Sequence, residues 1–542
     1  MEQSQQFDPF LQRAVEYWLD SSNELGYQPL FCAWLSTIGY AVKHSSKGGA
    51  LEQGKDVIAT DGDGVVHAYQ LKGGSISLAR WRTEVRPEVE ELIDLPVKHP
   101  EVDKTKGHVS YLVTNGELED SVKVQIADLN ENKWRATPLH VLTRGDLLTH
   151  FQAMAGGLLP RDAETYKQLI DLIFRDRTGL PDLESTASFL IKVLRPDDKL
   201  SKEQRRRDIA AAVLYANLIA GPYRGAANYI STIRVMVILT SQIMLCADRH
   251  RLDDRYWLEA YRTVWNDILA TARLLESEVN DDGFNKTLVS PMDRELHSFR
   301  RHLAALYVFA LKVAELITGD PAWRTVGDVP LAERYRQAFL IWGEASLIPF
   351  IFLTLLLRRL DGGAESAYYP IRAALNQIVT ENGRGAKDGP GLLSPYYDVD
   401  FGVQVKFGLL DDPFEEDYRC SSYLVKPLID ILARNEQREI VTQQWRELSF
   451  ISSDEFVPSE DWQHYLWRSP QGVNSTVVPP RQQSWAALVQ DAKNADGRLL
   501  PAALRRFPQF VPFFLATFPH RIGRQIVGLL DKTSADASER QQ

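Results

Sequence analysis

A chain of 542 residues is too long for one ordinary hydrophobic core, so two to four domains are expected. Its 44% hydrophobic and 25% charged residues are the proportions of a folded globular protein, not of a disordered or fibrous one. The net charge of −10 argues against nucleic-acid binding by bulk electrostatics, and residues 1–155 alone carry 15 Lys and Arg against 22 Asp and Glu, a net of −7. Contact with a polyanion then requires a local basic patch, oligomerisation, or metal ions that offset the carboxylates.

Cys32, Cys246 and Cys420 are widely separated and form no CxxC or Cys/His spacing, which argues against a disulfide framework or structural zinc and for a reducing cytoplasm. The start of the chain lacks a basic-then-apolar leader.

In chain order, Gln28–Ile38 reads as an amphipathic helix ended by Gly39, and Tyr40–Val42 as a short strand. A Ser/Lys/Gly loop runs through Gly49. Asp56–Ala59 reads as a strand, Asp61-Gly62-Asp63-Gly64 as a hairpin turn, and Val65–Lys72 as the returning strand. The Asp-Gly run has a superficial likeness to a calcium loop but lacks the closing Glu of one. After Gly73 and Gly74, a helix opens with Arg80, Trp81, Arg82 and Arg86; the arginines are read as a solvated face or as phosphate contacts beside a site.

A turn-rich break follows at Gly156-Gly157 and Pro160, and then helical patterns over Arg207–Ile219, Ala226–Cys246, Tyr256–Glu278 and Ser298–Ile317. Ala338–Leu357 is apolar and long enough to span a bilayer, but Glu344, Pro349 and the flanking arginines favour a buried helix. A glycine-marked break covers 361–395. Phe401–Phe407 then reads as a strand, Phe507–Leu530 as an apolar helical stretch, and the last ten or so residues as disordered. No internal repeat, no phosphate-binding Gly-x4-Gly-Lys loop and no HxH, HExxH or HxxxH histidine pair is present.

Strand geometry locates the chemistry. Residues two apart share a face, so Gln70 and Lys72 project together while Leu71 points into the core. Pairing about the Asp61–Gly64 turn can bring Asp56 to them. A carboxylate, an amide oxygen, the Leu71 carbonyl and an ammonium at one sheet edge form a set suited to phosphodiester hydrolysis: oxygens hold Mg²⁺, and a lysine orients water or offsets charge on phosphorus. The bland reading of Asp56 and Lys72 is a cross-strand ion pair.

Glu52–Ala59 followed by Tyr69-Gln70-Leu71-Lys72 resembles the Asp…(Glu/Gln)-x-Lys signature of the PD-(D/E)xK nuclease superfamily, and the Gln variant resembles Mrr-like restriction endonucleases. Val109–Gly116, with its Thr114-Asn115-Gly116 turn, resembles the next strand, and Pro138–Leu148 the last strand and helix start. The match covers about 130 residues. It implies an α/β restriction-endonuclease-like N-terminal domain, with a mixed central sheet flanked by helices, ahead of a mainly α-helical C-terminal region. It also implies Asp56, Gln70 and Lys72 as catalytic residues, with Mg²⁺ (or Mn²⁺) on Asp56, Gln70 and Leu71. Related nucleases often add a helix carboxylate; Glu24 is the first choice here, with Glu16 and Glu52 behind it. Neutral Gln70 leaves the site one carboxylate short of the Glu form.

The domains expected are 1–155 (nuclease), 156–360 (helical), 361–530 (mixed, mostly helical) and a disordered tail at 531–542. A small catalytic domain on a large helical remainder resembles the gated DNA endonucleases of bacterial anti-phage defence. That resemblance implies a cytoplasmic homo-oligomer acting on DNA, with a possible defence-system partner protein and no membrane association. The alternative is a non-catalytic nuclease-like module that binds DNA or a partner, with the helical part as scaffold.

Overall fold

The computed structural model describes residues 9–45, 54–99, 102, 107–156, 163–174, 179–194, 199–280, 291–327, 341–360, 364–384, 391–397, 399–406, 408, 420–458, 460–466, 473–477 and 483–539. They fall into two compact units, Met1–Ala270 and Thr271–Gln542.

The first unit opens with α1 (Pro9–Ser21) and α2 (Glu24–Thr37), then β1 (Ala41–Ser45), β2 (Val57–Thr60) and β3 (Val66–Lys72). The Asn23 side chain caps α2 by accepting from Gly26 N, so the helix begins four residues earlier than its apolar periodicity predicts. The β2–β3 hairpin is closed by Asp61, whose Oδ1 accepts from the N–H groups of Asp63 (3.0 Å) and Val65 (2.8 Å), and by Gly64 at φ +77°. The run is thus a hairpin turn, as its sequence predicts.

A helical segment follows β3: α3 (Leu78–Arg80), a π-helical turn (Trp81–Val85) and α4 (Arg86–Asp94). Pro87 accounts for the wide turn, since its ring would clash with the carbonyl four residues back and it has no N–H to donate. Then come β4 (His108–Thr114), α5 (Asp120–Asn132), β5 (Leu139–Leu142) and α6 (Arg144–Gly156).

The sheet order is β1-β2-β3-β4-β5, antiparallel across the first three strands and parallel from β3 to β5. This is the mixed sheet with flanking helices that the sequence predicts. Ile58, Val66, Ala68 and Leu112 share one core with Trp81, Val85 and Val89 of the post-β3 helical segment and Val122 and Ile126 of α5. Tyr69 points to the opposite face, where Phe31 of α2 meets it edge-on at 5.2 Å. Full burial of each large apolar side chain stabilises by roughly 1.5–3 kcal/mol.

This unit continues through α7 (Ala163–Ile173), α8 (Leu183–Leu194), α9 (Lys202–Gly225), α10 (Tyr229–His250) and the start of α11 (Leu258–Asn280). α9 lies against the first two helices: a Cβ on Gly221 would sit 2.8 Å from the Trp18 ring, and Arg224 donates to the Gly26 carbonyl at 3.4 Å.

The second unit is mainly helical, including α12 (Pro291–Thr318), with a three-stranded sheet of β6 (Ser421–Ser422), β7 (Ser452–Val457) and β8 (Val473–Val477). Four sequence expectations change here. Val399–Lys406 is a helix, not a strand: Val399 and Val403 are buried at i,i+4 and Gly402 lies close against Trp342. Phe407 lies outside the described residues. The glycine-marked stretch 361–395 contains a helix, Tyr369–Asn382. Phe507–Leu530 is broken at Phe518-Pro519 into separate helices, and the helix Arg524–Glu539 runs on through Asp531–Glu539, within the stretch 531–542 expected as a disordered tail. Within the apolar 338–357 segment, Glu344–Leu356 is buried. Among the described residues, the one helix long and apolar enough to cross a membrane is α10, and 94% of its apolar window is buried.

Candidate active site

β2 starts at Val57, paired with Tyr69, so Asp56 stands just before that strand and donates its N–H to the Tyr69 carbonyl at 2.8 Å. Its Oδ2 accepts from Gln70 Nε2 (2.8 Å) and from the Leu71 N–H (2.7 Å). The convergence of Asp56 and Gln70 expected from the hairpin is therefore present. The Leu71 side chain is buried. A strand residue carries its N–H and C=O on one edge, so the Leu71 carbonyl opens toward the Asp56 side, past the end of β2.

Gln70 Oε1 is enclosed and has no hydrogen-bond donor. An orphaned buried acceptor is costly. A half-turn of the amide would bring this oxygen toward the Asp56 carboxylate, an arrangement favourable only with a cation between them. After that half-turn, Asp56, Gln70 Oε1 and the Leu71 carbonyl would form a hard-oxygen set of the kind Mg²⁺ takes. Among the described residues no three His, Cys, Asp or Glu side chains cluster as a metal site, so such a set depends on the amide and the backbone.

Lys72 is buried, and its Nζ lies 2.6 Å from Glu88 and 3.5 Å from Glu84. Burial opposes its charge, but Glu88, then Glu24 and Glu84, hold its pKa above the ordinary lysine value. It is a fixed ammonium. Glu84 and Glu88 escaped the sequence reading, although Arg80, Glu84 and Glu88 at four-residue spacing mark one helix face.

Glu24, the first residue of α2, accepts from the Gly73 N–H at 3.1 Å through Oε1. It reaches the end of β3 and its charge acts on Lys72. Tyr27, one turn on, accepts from the Lys72 N–H at 3.2 Å. Its hydroxyl also lies 3.1 Å from the Lys72 carbonyl and 3.2 Å from that of Val113, and donates to one of them. Burial, then the Glu24 charge, push the Tyr27 phenol well above its usual pKa, so it stays protonated. Glu16, in α1, exerts its charge on Arg144; Glu52 lies outside the described residues.

A cleft of about 600 Å³ runs beside Glu24, lined by Asp20, Ser22, Asn23, Glu24, Leu25, Gly73 and Gly74. The Thr114-Asn115-Gly116 turn braces residues that line it. Asn115 Oδ1 accepts from Gly74 N (2.7 Å), and its Nδ2 donates to the carbonyls of Leu19 (2.6 Å) and Ser22 (2.7 Å). Thr114 Oγ1 donates to the Gly74 carbonyl at 2.7 Å.

Of the three arginines, Arg80 grips Glu84 through two bonds of 3.1 Å and donates to the Gly73 carbonyl at 2.6 Å. Arg86 pairs with Glu90 at 3.1 Å, and Arg82 is exposed. Arg80 thus braces the loop after β3. No family model, curated protein or solved structure matches this chain.

Proposed function

We propose that the first unit carries an Mg²⁺-dependent DNA endonuclease of the PD-(D/E)xK type, with a restriction-endonuclease-like core and a Gln-x-Lys active site. One observation carries this reading: the Asp56–Gln70 contact at the open end of the β2–β3 hairpin, with an undonated amide oxygen beside it. The antiparallel hairpin followed by two parallel strands, each reached through a helix, supports it at the level of topology.

Asp56, Gln70 Oε1 and the Leu71 carbonyl would hold the metal, which when bound supplies Lewis acidity to a phosphate oxygen. Lys72, held as an ammonium by Glu88, Glu24 and Glu84, orients water or offsets charge on phosphorus, and is not the base. Glu24 and Tyr27 fix the end of β3. The helical remainder fits a gate or an oligomerising part in bacterial anti-phage defence, in the cytoplasm.

The non-catalytic alternative, a DNA- or partner-binding module, draws on a different observation: Asp56 Oδ2 and Lys72 Nζ both have protein partners. Incubating the full chain with plasmid DNA separates the two readings. Cleavage with Mg²⁺ that stops with EDTA and with Asp56→Ala is expected from the nuclease. Binding without cleavage in any divalent metal would establish the module instead.

A further inference from the structure

A second cavity, of about 400 Å³, lies within the first unit, and neither Asp56, Gln70 nor Lys72 lines it. Its walls are the end of α2, the Gly39–Tyr40 turn, β1, the start of α9 and the segment Asp254–Thr263. Lys43, Arg206, Arg255 and Arg262 face it against Asp254 and Glu259, leaving two positive charges in excess. In a chain of net charge −10 this is a local reversal of sign.

Arg206 is not fully neutralised by the protein. Its Nη2 meets the exposed Glu203 at 3.4 Å, but its Nε is enclosed and has no hydrogen-bond acceptor. Arg262 is exposed at the rim, and Arg255 lies over the Tyr256 ring at 4.7 Å. The remaining surface is apolar and aromatic, from Tyr40, Tyr256, Trp257, Ile209 and Leu258. The lining thus combines guanidinium groups with aromatic and apolar side chains.

We propose that this cavity binds a mononucleotide-class ligand, with its phosphates on Arg206 and Arg262 and its ring against Tyr40. The arginines supply forked donors that match phosphate oxygens. The aromatic walls favour a ligand with a ring over a bare anion. The volume stands near the lower end of the roughly 300–1,000 Å³ typical of small-molecule pockets, which suits one nucleotide and not an oligonucleotide. This site is independent of the nuclease reading, because it uses none of the residues that would hold metal.

Calorimetric titration of the full chain with ADP, in EDTA so that metal at Asp56 takes no part, tests the assignment. ADP is expected to bind saturably, with adenosine and inorganic phosphate each at least about tenfold weaker. Arg206→Ala or the rim substitution Arg262→Ala is expected to weaken ADP by about tenfold, with thermal melting confirming an intact fold. Three results would overturn the proposal: no saturable binding of AMP, ADP, GDP, CDP or UDP at millimolar concentration; ADP binding that neither substitution changes; or phosphate binding as tightly as ADP, which marks a simple anion site.

Discussion

Gln70 is the residue on which the metal argument turns. Its amide donates to Asp56 at 2.8 Å and leaves its own oxygen undonated. Gln70→Glu replaces that donor with a second carboxylate against the first. Without metal the two repel; with Mg²⁺ both become ligands. The variant is expected to melt below wild type in EDTA and to recover with added Mg²⁺ by a larger increment than wild type gains. Equal increments in the two proteins would remove Gln70 from the metal set. Glu344, in the second unit, offers a separate check of the buried electrostatics. It accepts from Tyr423 N (2.8 Å) and Leu424 N (3.2 Å), and burial lifts its carboxyl to about 8. An unfolded Glu titrates near about 4.3, so between that value and 8 the folded chain holds the extra proton, and stability falls as pH rises. Glu344→Gln is expected to flatten the decline in melting temperature from pH 5 to 8. A decline as steep as in wild type would show that Glu344 is ionised throughout.

At the scale of elements, the hairpin was legible because its signals are local: β-branched residues in Val57–Thr60, an Asp-Gly turn, and two-residue alternation that sets Gln70 and Lys72 on one face. The start of α2 was missed because Asn23 caps it ahead of its apolar periodicity, which is why Glu24 was read as lying before the helix. The brace around Lys72 was missed because it depends on where the post-β3 helix lies, a tertiary fact, although Glu84 and Glu88 had the right spacing. The same limit explains the strand expected at Phe401–Phe407, where Val399–Lys406 is a helix with Gly402 close against Trp342. The turn at Asn115-Gly116 is the element that fastens the cleft. A Cβ on Gly116 would come within 2.3 Å of Gly74 and Ser75 backbone. Gly116→Ala is therefore expected to destabilise by roughly 1–3 kcal/mol, the range for overpacking, in chemical denaturation. Wild-type stability would mean that this approach is not needed.

Over the whole molecule, the packing does not stop at Gly156, because α9 lies on α1 and α2 through Gly221 and Arg224. A chain ended there would uncover Trp18 and α2, so tests of chemistry belong on the full chain. The net charge of −7 in residues 1–155 implies weak intrinsic affinity for a polyanion, so the proposed function would require the remainder to recruit DNA. On the proposed reading, chemistry and binding separate at Lys72, whose ammonium is fixed by Glu88 and which would act in turnover. The most direct measurement is the single-turnover rate of DNA cleavage in Mg²⁺ by wild type and Lys72→Ala, with DNA affinity measured on the same samples. The expected result is a rate reduced by about a hundredfold or more, as for loss of a group that stabilises developing charge, with affinity nearly unchanged. Cleavage by Lys72→Ala at the wild-type rate would contradict the assignment of this sheet edge as the hydrolytic site.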